Sequence, residues 1–501
     1  MTRLRRDIVR DLITHPERLL LKKPFTRGSA TSSPECCYDG DEEVVTKLRT
    51  AQLPRLTKTI VSQERFAKEL DPGSHKVLFD NNMPSICVKI SDAKDGSGYS
   101  EIEYKRTSVD FQERIRQKKT LSLCGNPRVF TLHDSNPDEA QKKNFADLKW
   151  HWTERNQDGL SSKAVYTQLG YGDVGLLMYF NERKEIRGRI ISYEDGYVII
   201  SHNDDNGERV LECIYYSDGD GVEHIDCYDD ENIYRLTNAE GWHVTEAKPH
   251  GFSEIPLITK RGNVAWNDVQ NLIETFEIIY NIFIVIQKRH GWGILYIRGR
   301  LKEQAKKLAG SIILQDTDTT GNGSAEFKAP PTPQNMIETL QTLLDQIQIG
   351  ASVTFILPKD VKSSGDISGI AMQMTRSLDI EGATQAVIDW QNFADKHARL
   401  FKEGLAKELV EKGENPNAIT EFERMKVTCK FKMWQPFDEG SYNQMLCTLK
   451  GAGIISQKTG IEKNTISTPD EEIRVALEQE KANTFQPNAG LPRQDDNANI
   501  E

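Results

Sequence analysis

The chain has 501 residues, 37% of them hydrophobic and 28% charged, enough for two to four domains with cores of their own, which excludes a disordered polymer. Its longest apolar run, Ile282 to Ile286, reaches nine residues from Ile278 only if Tyr280 and Asn281 are included, and about 20 are needed to cross a bilayer, so no membrane span is expected. A net charge of −11 excludes a generic nucleic-acid wrapper that works by neutralising phosphates, so any contact with DNA must be of another kind.

Eight cysteines form no CxxC and no Cys/His cluster, which fits a reducing interior better than a disulfide scaffold. The basic start carries Asp7, Asp11 and Glu17 and lacks an apolar core followed by a small-residue cleavage site, so secretion is not expected and the mature chain is expected to begin here. Within it Leu4, Ile8, Val9, Leu12 and Ile13 recur at helical spacing before the His15-Pro16 break, which predicts a short amphipathic helix on the surface of the first domain rather than a partner-binding arm. From about 43 to 160 the signals are mixed. Helical stretches near 43–71 and 138–153 flank strand-like runs at Ser85 to Ile90 and Glu101 to Tyr104, an α+β region of low definition.

Around residue 163 the pattern changes. Leu176 to Phe180, Ile186 to Tyr193, Tyr197 to His202, Val210 to Tyr216 and Ile233 to Leu236 are β-rich runs separated by Asn, Asp and Gly, which predicts an antiparallel meander over 163–240. Its loops are acidic: residues 203–240 hold twelve Asp/Glu against two Arg. After Pro256 long helices take over. Val269, Leu272, Ile273, Phe276, Ile279, Tyr280, Phe283 and Ile286 predict a helix over 266–290, roughly 38 Å long, stopping at Gly291.

Residues 291–331 form a small insert with strand-like Gly293 to Ile297, a basic helical turn near Lys302 to Leu308, strand-like Ser311 to Leu314 and a tip at Thr319 to Ser324. Thr332 and Pro333 start a second helix to about 350, with Met336, Ile337, Leu340, Leu343, Leu344 and Ile347 on one face and Gln334, Glu338, Gln341, Asp345 and Gln348 opposite. Residues 354–367 break into a polar loop at Pro358 and Gly365. The pattern resumes from Ser368 to Lys412, with a bend expected at Gly382, then a strand at Met425 to Met433, helices at 438–451 and 469–482, and a disordered tail from Phe485.

Motifs that would carry catalysis fit poorly. Gly170-Tyr-Gly-Asp-Val-Gly175 matches GxGxxG with Glu194 and Asp195 about twenty residues on, yet a strand-like run follows it where a dinucleotide site needs a helix N-terminus. Gly-Lys never occurs, so there is no P-loop, and HExxH and GxSxG are absent. Asp218-Gly-Asp-Gly-Val-Glu223 departs from a calcium loop at its fifth and sixth positions, so solvated turns are expected there and no metal site. The histidines stand singly, and His397 is expected to be packed or exposed rather than catalytic. No catalytic residue and no cofactor are expected. A metal- or nucleotide-dependent enzyme built on the acidic 203–240 segment, and a non-viral oligomeric scaffold, are the competing readings.

The order of meander, helix, small insert, helix, polar loop, very long helix, strand and helical end resembles the portal proteins of tailed bacteriophages, of siphophage type. His250-Gly-Phe-Ser-Glu-Ile-Pro256 followed by Asn263 is similar to the family's H-x-F-x-x-I-P segment before its first stem helix. Ser368-Gly369-Ile-Ala371 is similar to its S-G-x-A element, and Gly453-Ile-Ile-Ser456 with Asp470-Glu-Glu472 and Glu478-Gln-Glu480 to its ending. The likeness covers 163–482, and the first 150 residues match poorly. It implies an α+β fold with a wing (1–264), stem helices (265–290 and 332–353), a small α/β clip (291–331), a tunnel loop (354–367), a long kinked helix with a wing return strand (368–437), a helical crown region (438–484) and a tail (485–501).

It also implies a structural protein forming a ring, dodecameric in the capsid, at one vertex of the virion, assembled in the host cytoplasm. Double-stranded DNA would be packaged and ejected through it, with the terminase large subunit, a head–tail adaptor, and the major capsid and scaffolding proteins as partners and no membrane. Under that resemblance Lys359, Asp360, Lys362, Ser363, Ser364 and Asp366 face DNA in the tunnel loop, and Glu338, Gln341, Asp345 and Gln348 line the channel. Arg298, Arg300, Lys302, Lys306 and Lys307 would dock a partner at the clip, whose charge of +2 contrasts with the acidic remainder. A net acidic, low-adhesion conduit suits a sliding polyanion, since six to ten phosphate contacts would hold DNA strongly.

Overall fold

The computed structural model describes residues 9–10, 12–14, 54–80, 86–88, 100–102, 105–134, 137–203, 206–290, 294–298, 312–316, 324–328, 334–355, 376–433 and 439–456, with scattered positions to 479. The chain divides into two compact units, one of residues up to Phe355 with Leu378–Trp434, the other of Ile356–Ser377 with Gln435–Glu501. The fold is α+β, as expected.

The first unit opens with helical residues 9–10 and 12–14 and helix α1 (Pro54–Leu70), then strands β1 (Ile86–Val88) and β2 (Ser100–Ile102), paired antiparallel. Helix α2 (Phe111–Cys124) is capped by Asp110, whose side chain accepts from Glu113 N. Strand β3 (Val129–Leu132) follows, then α3 (Glu139–Glu154), whose Asp138 and Gln141 form a reciprocal capping box, and α4 (Gln157–Tyr171). Residues 163–171, expected to open the meander, are therefore helical: α4 buries Gln157, Ser161, Thr167 and Gln168 beside Ala164 and Val165, a mixed face that hides its period.

The β-rich stretch forms two sheets, where the sequence predicts one meander ending at 240. Strands β4 (Asp173–Phe180) and β5 (Ile186–Ile191) pair with β11 (Leu257–Arg261) in the order β11-β4-β5. Strands β6 (Val198–Asn203), β7 (Arg209–Ser217), β8 (Glu223–Tyr228), β9 (Asn232–Thr237) and β10 (His243–Pro249) make the antiparallel meander. Alternation along its strands serves two cores: Leu211, Cys213, Ile225 and Cys227 face one, joined by Val9, while Ile214 and Tyr228 face another against Ile191, Ile255 and Leu257. The N-terminal apolar residues Val9, Leu12 and Ile13 thus pack on the sheet, as a domain-surface helix should.

Helix α5 (Gln270–His290) and helix α6 (Gln334–Ala351) bracket three strands, β12 (Ile294–Arg298), β13 (Ile312–Asp316) and β14 (Ser324–Lys328). β12 pairs parallel with β13 and antiparallel with β14, a strand the sequence reading misses. α5 starts four residues later than expected, because Val264, Ala265 and Trp266 are buried in a turn where Val269 N donates to Trp266 O.

Helix α7 (Ser377–Glu411) runs 35 residues and buries Trp390, Phe393, Ala394, Leu400, Phe401, Leu405 and Leu409 against α3, α4, β4 and β5. Gly382 lies inside this continuous helix, and a Cβ there would stand 3.1 Å from the Ser352 side chain, so close approach of chain to helix explains the glycine. Helix α8 (Ala418–Arg424) and strand β15 (Val427–Lys430) follow, and β15 pairs antiparallel with β3. In the second unit α9 (Glu439–Gly451) matches the helix expected at 438–451. The helical turn at 302–308, the loop 356–367, the start of the long helix at 368–375, most of 469–482 and the tail lie outside the described residues.

Candidate functional site

The candidate site is the two-helix element and the layer that anchors it. From the turn before α5 and along it, Val269, Ile273, Glu277 and Asn281 recur every fourth residue and all are buried, so one stripe is apolar at its start and polar beyond. The polar half is met by the first 124 residues. His75 Nδ1 lies 2.7 Å from Glu277 Oε1, with both side chains 3% exposed, and His75 Nε2 lies 2.9 Å from Glu69 O. Two acceptors facing both ring nitrogens favour the imidazolium. Burial pulls the His75 pKa down, but the hydrogen bond and charge of Glu277, with the Glu69 carbonyl, outweigh it and hold the group above its ordinary value.

Val109 N donates to the same Glu277 oxygen at 2.7 Å, and Asn281 pairs with the Thr107 backbone through both amide atoms, at 2.8 and 2.7 Å. Trp266 Nε1 donates to Glu69 Oε2, Lys119 Nζ to Ala265 O, and Phe111 packs edge-on to Phe276 at 5.1 Å. The base of α5 is therefore gripped by α1, the turn after it and α2. Sequence reasoning missed this grip. Its signal was available: Glu277 and Asn281 interrupt an apolar stripe at i, i+4 spacing, which requires buried partners.

On α6 the apolar face packs through Ile347 and Ala351 against Val269 and Ile273. Glu338, Gln341 and Asp345 are exposed along the opposite face, as the sequence pattern places them. Gln348 differs. It is half-buried, its Oε1 accepts from Phe355 N at 2.7 Å, and its backbone carbonyl accepts from Val353 N, so it secures the exit of α6. Arg298 ends β12, opposite Asp316 of β13 and Ser324 of β14. Arg300, Lys302, Lys306 and Lys307, and all six tunnel-loop residues (Lys359, Asp360, Lys362, Ser363, Ser364 and Asp366), lie outside the described residues.

The H-x-F-x-x-I-P segment is a corner. His250 Nε2 donates to Asp229 O, and its Nδ1 accepts from Phe252 N, with burial lowering its pKa. Phe252 stacks on Phe180 at 4.9 Å, Ile255 fills the core between the sheets, and Ser253 donates through both N and Oγ to Glu403 of α7. Meander, second sheet and long helix meet there.

The groups that sequence motifs offered to an enzyme have other uses. The GxGxxG glycines end a helix and begin a strand, the reverse of a dinucleotide site. Gly170 admits the Arg116 guanidinium, Gly172 closes α4 at φ +83°, and Gly175 lies against Ile199 and Leu257. Asp218 accepts from Asp220 N, Val222 N and His224 Nε2, and Asp229 from Glu231 N, Asn232 N and Tyr234 Oη, so these carboxylates hold hairpin turns. Among the described residues no group of three or more His, Cys, Asp or Glu is placed to hold a metal ion, and no helix is long and apolar enough to cross a membrane.

His397 is packed: its Nε2 lies 2.9 Å from Gln157 Oε1, Trp152 stands 4.7 Å away, and burial, with Arg128, keeps its pKa well below the ordinary value. A cavity of about 470 Å³ between α2, α4, β11 and α7 is lined by Lys119, Lys260, Asp379 and Trp390 among others. Its polar groups serve the backbone, with Lys119 on Ala265 O, Lys260 on Asp389 O and Asp379 accepting from Thr354 N.

Residues 93–484 match the family described as phage portal protein, SPP1 Gp6-like, which is well over half of the chain. The chain belongs to the phage portal family. A comparison with curated proteins finds no match. Portal proteins are structural components of phage capsids and form oligomeric rings. The family match begins at residue 93, upstream of the 163–482 likeness, and takes in α2, half of the layer gripping α5.

Proposed function

We propose that this portal protein acts without catalysis, as a ring seated at one capsid vertex through which double-stranded DNA is packaged and later ejected. The single observation that supports the reading most is the polar face of α6. Glu338, Gln341 and Asp345 stand exposed in a row while Ile347 and Ala351 pack toward α5, a lining that offers DNA no lysine or arginine to grip. Apolar flanks of the stem would pack between neighbours in a closed ring, dodecameric in the capsid.

In this reading 354–367 is the tunnel loop, and Lys359 and Lys362 touch phosphates transiently beside Asp360 and Asp366, with Ser363 and Ser364 giving freedom to shift. The basic side chains Arg298, Arg300, Lys302, Lys306 and Lys307 dock the terminase large subunit during packaging and the head–tail adaptor afterwards. Assembly takes place in the host cytoplasm with capsid and scaffolding proteins. Electron images of the purified protein test the ring: an annulus with a central hole is expected, and solid particles lacking one would end the proposal. Replacing Lys359 and Lys362 with alanine should lower packaged DNA per particle while leaving ring formation intact. Loss of assembly would mean that the two lysines are structural.

A further inference from the structure

Cys213 of β7 and Cys227 of β8 stand directly opposite each other in the register of the meander. Both are fully buried in the sheet face that also carries Val198, Leu211, Ile225 and Leu236, both are free thiols, and their sulfurs lie 2.8 Å apart. A disulfide requires an S–S distance of about 2.05 Å and a Cα separation of roughly 4.4–6.8 Å. Residues facing one another in an antiparallel pair have Cα atoms about 4.5–5.5 Å apart, so the backbone already meets the second requirement. The sulfurs need approach by less than about 1 Å.

We propose that Cys213 and Cys227 form a redox-closable pair, reduced while the protein is inside the cell and joined as an intramolecular disulfide once it meets an oxidising exterior. The oxidant is a low-molecular-weight disulfide. One cysteine thiolate attacks it, releasing one small thiol and leaving a mixed disulfide, and the second cysteine then displaces the other small thiol. Two S–H bonds are lost, one S–S bond forms, and two electrons reduce the oxidant to two thiols. Burial, and next the Cys227 contact, raise the Cys213 pKa well above the ordinary thiol value, which withholds the thiolate in the closed sheet. Reaction therefore waits for local opening of β7 and β8 and is slower than at the exposed Cys447.

The closed bond would fasten the middle of the meander, and the inference stands apart from the ring, because a single protomer contains both partners. Full-length protein, reduced and then incubated with oxidised glutathione in sub-denaturing urea, is unfolded in an alkylating reagent and digested without reduction. The expected product is one peptide pair joined through Cys213 and Cys227, lighter by two hydrogens than its separate halves. A raised melting temperature should accompany it and be absent from C213A/C227A. The proposal is overturned if the two cysteines carry separate glutathione or alkyl groups, if either is joined to another cysteine, or if the melting temperature of the cross-linked chain is unchanged. The wild-type mapping decides the pairing whether or not the double variant folds.

Discussion

The neighbourhood of α7 and helix α5 solve burial in opposite ways. Around α7 the protomer completes itself. Glu408, with a side chain 2% exposed, receives Arg155 through two nitrogens at 2.7 and 2.8 Å, Ile186 N at 3.0 Å and Lys412 Nζ at 2.7 Å. On α5, apolar residues stay in solvent, with Ile278 36% exposed and residues 282–287 only half-buried. The first arrangement closes its core within one chain, whereas the second leaves apolar surface exposed on the single chain, the kind of patch that marks an interaction site.

The sharpest way to break this contrast is Glu408→Ala. It leaves the buried Arg155 guanidinium with only the half-exposed Glu154 carboxylate, 4.0 Å from its Nε, and arginine cannot shed its proton, so a loss of about 3 kcal/mol is expected in urea unfolding. The native interaction also has a pH signature. Burial would raise the Glu408 pKa, but the hydrogen bonds from Arg155, Lys412 and Ile186 N hold it below its ordinary value. Its contribution is thus present above the unfolded carboxylate pKa and lost as pH falls through the lowered folded value, which acid unfolding of wild type against Glu408→Gln would reveal.

A smaller effect, about 1–3 kcal/mol, is expected for Glu277→Gln at the base of α5, because His75 can relieve the loss by giving up its proton. Here the sign is reversed. The raised His75 pKa gives stability that is complete below the unfolded histidine value and fades as pH rises through the folded one, so the gap between wild type and variant should narrow in alkaline buffer. Ile278→Ser on α5 should change protomer stability by no more than about 0.5 kcal/mol, yet reduce the fraction of rings in native mass spectra. Equal ring yield would mean that this exposed face is not an interface.

The least effect is expected at Asp173. Burial lifts its pKa to about 6 against the pull of Arg261 and Gln63. Asp173→Asn keeps an acceptor for Gln63 and loses only a half-exposed ion pair, so the melting temperature should move little at pH 7 and less still at pH 5.

What could be read from the sequence divides along the same line. Helices α5 and α6 and most hairpin strands announce themselves because one face of each is apolar, so the period shows in the sequence. Helices α2 and α4 do not: α2 buries Gln112, Arg116 and Thr120, with the Arg116 guanidinium 3.5 Å over the Tyr166 ring, and such a face reads as solvent-exposed. The exposed row Glu338, Gln341 and Asp345 was visible as a pattern. Gln348 was not separable from it, since its tie to Phe355 is made by a turn that no helical spacing encodes. The grip of His75 on Glu277 joins residues 202 apart, beyond what local patterning can reveal.

The pairing of β3 with β15 has a consequence for synthesis. Val129 meets Lys430 and Leu132 meets Val427, with Asn126 Nδ2 reaching Met433 O just beyond. Until the ribosome has delivered residue 430, β3 has an open edge and nothing to zip with, so a chain broken off earlier lacks this sheet. Such late closure is slow, as non-local pairing generally is, and it makes synthesis past residue 430 a condition for covering that edge.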